Sequence, residues 1–250
     1  GKEAVVYSAD PPPRSLRFLP RIDEVVQEPP ENGVWDACFV MDAAAAPLVP
    51  PLPAALAGPV VMFDHHAAHD DFGDVLLREP DACATGVVVL RMMRELGLAQ
   101  VPASAAKGLY AAIVADTGGF RYDGTDPEVL RLAATLVEAG AEPWPTAKHL
   151  FEEWPAARMR LLGVLLDSME LVLGGRVAVL EVTRRTLAAV GADDEMVEGM
   201  VNYGRMLEGV DAAVLLWELS SRDGVPETKV SLRSASGLDV SRVAVALGGG

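Results

Sequence analysis

Apolar residues along the chain come in two rhythms. Unbroken short runs, "ACFVMD" (37–42), "PVVMFD" (59–64) and "LYAAIVAD" (109–116), each close on an aspartate: Asp42, Asp64 and Asp116. Runs of this length read as strands buried on both faces. The third is Ala-rich and fits the end of a helix equally well. Other stretches repeat their apolar positions at helical spacing: "ATGVVVLRMMRELG" (84–97), "PASAAKGLYAAI" (102–113) and "TDPEVLRLAATLVEAG" (125–140). The last starts on a capping box, Thr125 with Glu128, and stops at Gly140. Strands alternating with helices predict a parallel sheet with crossover connections.

Beyond residue 145 the pattern starts afresh. "WPAARMRLLGVLLDSMEL" (154–171) predicts an apolar helix, and "LVLGGRVAVLEVT" a hairpin turning at Gly174–Gly175. Residues 193–207 read as one helix, 211–220 and 227–236 as strands, and 239–250 as a helix entering a glycine loop. The expected fold class is therefore α/β. A parallel-sheet domain (1–140) is followed by a linker and the start of a connecting helix (141–160), then by a smaller α/β domain (161–250), with a cleft between the two.

Composition narrows the function classes. The chain has 250 residues, half of them apolar, so a sizeable core can form. Its net charge of -15 argues against a grip on long duplex nucleic acid, which needs a basic face. A small anionic ligand stays compatible, because a metal or a few arginines can invert the field within one cleft. Cys38 and Cys83 are expected as small buried residues, and no disulfide framework is indicated. No apolar run reaches the length of a membrane span, so the expected location is the cytoplasm.

The stretch "VVMFDHHAAHDD" (60–71) carries the chemistry. Four apolar residues lead into Asp64, His65 and His66, which are costly to bury unless something binds them. In an open parallel sheet the functional crevice lies beyond the carboxyl ends of the strands, where strand-end aspartates gather. Carboxylates beside an imidazole suit Mn²⁺ or Mg²⁺ better than a thiolate-type zinc site. Two such ions ~4 Å apart can hold a phosphoryl group and activate water. The glycines of "TGGF" after Asp116 would let backbone approach a ligand closely. His69 and His149 are expected at the surface, and Asp70, Asp71 and Asp74 on a solvated loop. Trp144, Trp154 and Trp217 are expected in the core or at an interface.

"VVMFDHHAAHDDFGDV" and "AAIVADTGGFRYDGTDPEVL" resemble the signature segments of the DHH phosphoesterase family. "MVNYGRMLEGVDAAVLLWE", "KVSLRSASGLDVSRVA" and the closing "GGG" resemble its associated substrate domain, and the whole is most similar to the nanoRNase/pAp phosphatase branch. The resemblance implies Asp42, His65 and Asp116 as metal ligands. It implies His66 facing the scissile phosphate, with Asp64 behind the histidines, as the catalytic pair. Arg233 and Ser234 would contact substrate phosphate, Gly248, Gly249 and Gly250 would approach it through backbone N–H groups, and Asn202 and Tyr203 would contact a base.

The family's opening histidine-and-aspartate motif and the continuation of its glycine loop are absent. The chain is therefore expected to be an interior part of a longer protein whose full length holds two Mn²⁺ ions, with Mg²⁺ as the alternative. This span alone would hold one metal poorly. The implied activity is hydrolysis of very short oligoribonucleotides or of 3'-phosphoadenosine 5'-phosphate (pAp). A linear or cyclic dinucleotide phosphodiesterase and an inactive nucleotide-binding regulatory module remain as alternatives. Expected partners are small nucleotide phosphates, with no membrane, and homodimerisation is left open.

Overall fold

A computed structural model describes residues 2–30, 34–49, 51–52, 56–66, 72–98, 100–219, 227–234 and 238–246. They form two compact units, Gly1–Glu153 and Trp154–Gly250. Each is α/β.

In the first unit, β1 (Cys38–Met41), β2 (Val60–Asp64) and β3 (Val75–Arg78) form a parallel sheet in the order β1-β2-β3. Met41 lies opposite Phe63, and Asp64 opposite Arg78. Helices α1 (Thr85–Glu95), α2 (Ala103–Asp116) and α3 (Pro127–Glu138) follow. They pack with the sheet around Phe63, Leu90, Ile113 and Leu136, all fully buried. Each such side chain contributes ~1.5–3 kcal/mol through apolar surface removed from water. The helix α4 (Pro143–Ala147) then runs into a π-helical turn, Lys148–Glu152, so much of the stretch expected as linker is helical.

Here the structure decides one open reading and corrects another. "LYAAIVAD" is the second half of α2 and not a strand, because its alanines favour helix and the pattern begun at Ala103 continues without a break. The third strand is instead β3, a four-residue run too short to stand out. The cap of α3 is Asp126, whose carboxylate accepts from Val129 N–H at 2.8 Å with Pro127 at the first helical position. Glu128, expected in a capping box, receives Arg91 Nη2 at 2.9 Å, and the same guanidinium also binds Glu79. Asp74 is exposed on its loop, as expected, and there accepts from Val60 N–H at 2.8 Å, which fixes the start of β2. His69, Asp70 and Asp71 lie outside the described residues.

The second unit opens on α5 (Ala156–Asp167). Its sheet runs β4 (Glu170–Val172), β5 (Val177–Val182), β6 (Ala212–Glu218), β7 (Thr228–Ser234). The β4/β5 and β6/β7 pairs are antiparallel and β5/β6 is parallel. Also in this unit are α6 (Arg184–Val190), α7 (Val201–Arg205) and α8 (Ser241–Ala246). Along β6, buried residues alternate with half-buried ones, as a sheet with one face on the core requires. Leu161, Leu180, Met200 and Leu215 fill that core. Residues 193–207 are not one helix. A 3₁₀ turn, Asp194–Val197, is separated from α7 at Gly199, whose φ of 79° a helix cannot continue.

Cys38 and Cys83 are free and half-buried. The Cys83 thiol is pushed up to about 11, first by burial and then by the Asp116 and Asp126 carboxylates, which suits an inert packing residue. Trp217 is in the core, whereas Trp144 is exposed. His149, expected at the surface, is half-buried, stacked on Phe18 at 4.7 Å. Among the described residues no helix is long and apolar enough to cross a membrane.

Candidate metal centre

At the carboxyl end of β1 the chain turns sharply at Asp42, which has φ 61° in the left-handed region. That conformation costs a non-glycine residue roughly 1–2 kcal/mol. It is held by the Asp42 N–H donating to Phe63 C=O at 2.8 Å. The Asp42 carboxylate accepts a hydrogen bond from Thr85 Oγ, 2.6 Å from its Oδ1, at the start of α1.

The end of β2 supplies the other two strand-end groups and the acid behind them. His65 Nδ1 lies 3.1 Å from Ala82 C=O. A carbonyl only accepts, so the neutral ring carries its proton on Nδ1 and presents an Nε2 lone pair. That Nε2 faces Asp42 Oδ1 at 3.6 Å and Asp116 Oδ2 at 3.9 Å. Asp116 is delivered by the last residue of α2. Burial, and then the neighbouring Asp42 carboxylate, raise the Asp116 pKa above its ordinary value, against the opposing pull of His65 and His66.

Asp64 is fully buried, and its Oδ1 accepts from His66 Nδ1–H at 2.7 Å. Burial alone would push this carboxyl up. The His66 hydrogen bond and charge, with the backbone N–H groups of His65 and His66, outweigh that and hold it below the ordinary carboxylate range. One potential ligand atom from each of Asp42, His65 and His66 lies within 4.8 Å of the others. These are oxygen and imidazole donors, a set that fits a Mn²⁺- or Mg²⁺-type ion.

No family model matches the chain. It is 34% identical over its whole length to the bifunctional oligoribonuclease and PAP phosphatase NrnA of Thermus thermophilus, covering 72% of that protein. The chain belongs to the NrnA family of DHH phosphoesterases. It is accordingly a phosphoesterase. The Bacillus subtilis family member of the same name is 24% identical over 86% of the chain and 68% of its own length. A crystal structure of an exopolyphosphatase-related protein from Bacteroides fragilis superposes on 96% of the chain with a TM-score of 0.83 at 20% identity, and so shares the fold.

Of the residues expected in this family's metal site, Asp42 and Asp116 each lie within 4 Å of His65 Nε2, Asp116 arriving on a helix, while the cluster of mutually close ligand atoms takes in His66 and not Asp116. Asp64 stands behind His66, accepting from its Nδ1–H. On the second unit, Arg233 is exposed on β7 and its Nη1 donates to Leu232 C=O at 2.9 Å. Ser234 follows it, half-buried. Asn202 and Tyr203 lie on α7, with Tyr203 edge-on to Trp154 at 6.1 Å. Gly248, Gly249 and Gly250 lie outside the described residues.

Sequence reasoning missed Thr85 and the Ala82 carbonyl. A threonine opening a helix just after "DAC" was the only signal available. At "TGGF" the structure adds a packing reason for one glycine. Gly118 (φ 58°) has the Tyr122 ring packed where a Cβ would stand, so its role is local packing. The Thr117 hydroxyl secures this turn, donating to Ile113 C=O at 2.6 Å and accepting from Phe120 N–H at 3.0 Å. Gly118→Ala should therefore destabilise the first unit by about 1–3 kcal/mol, the cost of a left-handed alanine plus displacement of Tyr122. A thermal melt checks this, and an unchanged midpoint would refute it.

Proposed function

We propose that this phosphoesterase is a manganese-dependent hydrolase of very short oligoribonucleotides and of pAp. The observation that supports it best is the convergence of His65 Nε2 with the Asp42 and Asp116 carboxylates at the sheet's carboxyl edge. Relatives covering most of the chain carry both activities in their names. The net charge of -15 agrees with a substrate small enough for a local pocket.

Asp42, His65 and Asp116 would hold the divalent ions, two of them in the full-length protein. When bound, such ions supply Lewis acidity, lower the pKa of water and offset charge on phosphoryl oxygens. His65 is set for ligation because its Nδ1–H is spent on Ala82. His66 is set differently. Its Nδ1–H is spent on Asp64, so in the doubly protonated ring Nε2–H is the donor left to meet a phosphoryl oxygen or hand a proton to the leaving oxygen. Arg233 would bind a remote substrate phosphate through its planar, permanently charged fork.

The test is a side-by-side assay of the full-length protein with Mn²⁺ against pAp, pApA, longer oligoribonucleotides, cyclic dinucleotides and pyrophosphate. The expected result is turnover of pAp and the shortest oligoribonucleotides that EDTA abolishes and Mn²⁺ restores. Turnover confined to cyclic dinucleotides or pyrophosphate would overturn the assignment. In the same assay, Arg233→Ala should raise KM for substrates with a terminal phosphate about tenfold or more, as for loss of a charge-assisted contact, and leave a neutral model ester unchanged. An equal effect on both would remove its anchoring role.

A further inference from the structure

The segment Ala82–Thr85, between β3 and α1, touches two of the proposed ligands, which come from different strands. At one end the Ala82 carbonyl accepts from His65 Nδ1–H at 3.1 Å. At the other, Thr85 Oγ–H donates to Asp42 Oδ1 at 2.6 Å, across 43 residues of sequence. Thr85 itself is 6% exposed, so its hydroxyl is not a free surface group exchanging partners with water. Asp42 needs such a partner. Its side chain is half-exposed and its backbone sits in the left-handed region, leaving its rotamer without the packing that fixes a core residue. A short hydrogen bond to an ionised carboxylate is among the stronger and more directional neutral-donor contacts. It fixes which carboxylate edge faces His65 Nε2, 3.6 Å away.

We infer that Thr85 is a positioning residue of the metal centre: its hydroxyl locks the Asp42 carboxylate in the orientation that ligation requires, while Ala82 locks the His65 ring. This rests on the metal-dependent reading proposed above. It adds that ligand geometry is set by the entry to α1, which makes the helix part of the site through its first residue, Thr85. Pairing the two ends of one segment with two ligands also makes their mutual spacing depend on one four-residue stretch. Partners of this kind are typically worth about 10–100-fold in metal affinity.

Thr85→Val and Thr85→Ser separate this role from a structural one. Valine keeps the shape and removes the hydroxyl, whereas serine keeps the hydroxyl. Mn²⁺ binding to the metal-stripped full-length protein, read by electron paramagnetic resonance of the free ion, reports affinity without reference to turnover. The expected result is about a tenfold or greater loss of Mn²⁺ affinity in Thr85→Val, with an unchanged metal-free melting midpoint. Thr85→Ser should bind within about threefold of wild type. The turnover deficit of Thr85→Val should shrink as Mn²⁺ is raised, because the ion's charge compensates for a misaligned ligand once the site is filled.

If wild type binds Mn²⁺ and Thr85→Val binds equally well, the role of Thr85 is overturned while the metal reading stands. The same holds if Thr85→Ser is as weak as Thr85→Val, since the hydroxyl would then not be what matters. Wild-type protein that takes up no Mn²⁺ overturns both.

Discussion

His65→Ala is expected to abolish turnover, with a fall of about 10³-fold or more, and to leave the fold intact. The size follows from what the imidazole would hold. Bound divalent ions contribute several kcal/mol of charge stabilisation in the transition state, and each 1.4 kcal/mol is a factor of ten in rate. Nε2 lies within 4 Å of both Asp42 and Asp116, and the neighbouring His66 has its Nδ1 engaged by Asp64. Leaving the two carboxylates facing each other without it makes matters worse, since Asp42 already raises the Asp116 pKa. The fold, by contrast, loses little: one hydrogen bond to Ala82, net about 1 kcal/mol, from a side chain that still has access to solvent. Circular dichroism and a thermal melt should show a native protein within a few degrees of wild type. Mn²⁺ titration should show weakened binding. Full activity in this variant would remove His65 from the mechanism.

Why this site could be read so early, and parts of it could not, is a matter of range. The Asp64-His65-His66 triplet announces itself because three ionisable groups directly follow a buried apolar run, a local pattern with a local energetic cost. Asp42 and Asp116 were visible as acids closing apolar runs, yet one closes a strand and the other a helix. An Ala-rich run of that length is compatible with both, and only the uninterrupted pattern from Ala103 decides for helix. β3 escaped because four residues bear no period. Its place is fixed by pairing with β2 and by the Asp74 bond to Val60, neither of which is a property of the segment alone. Thr85 and Ala82 escaped for the same reason, since their function exists only once residues far apart in sequence meet. The capping signal at Thr125 shows a milder failure. Thr125 was read as the cap, but Asp126 takes that place because Pro127 occupies the first helical position.

Asp64→Asn should reduce turnover by about 10²–10⁴-fold, the range for a positioned proton-transfer group, with Mn²⁺ affinity kept within about threefold. The separation of these two effects distinguishes Asp64 from His65. As a carboxylate, Asp64 accepts from His66 Nδ1–H through Oδ1 at 2.7 Å, and the backbone N–H groups of His65 and His66 also favour its ionised form. An amide of the same shape offers one oxygen and an NH₂ group, so it cannot satisfy all three. If its oxygen keeps His66, the NH₂ faces backbone donors in a fully buried position. If it turns over, its NH₂ faces His66 Nδ1, which can then no longer donate to it, and the ring loses the carboxylate partner that favours its doubly protonated form. Either arrangement costs about 1–3 kcal/mol of stability and spoils the orientation of His66. His65 is untouched, since Ala82 orients it. The pH dependence provides an independent check. Folding holds the Asp64 carboxyl below its ordinary value of 3.8, so the ionised group stabilises the native state above that pH. The increment is lost as pH falls through the lower folded-state value. The gap in melting midpoint between wild type and Asp64→Asn should therefore be largest above pH 4 and narrow below it. A variant that loses Mn²⁺ as severely as His65→Ala would refute the division of labour between the two histidines, and a gap that widens on acidification would refute the ionised, hydrogen-bonded state of Asp64.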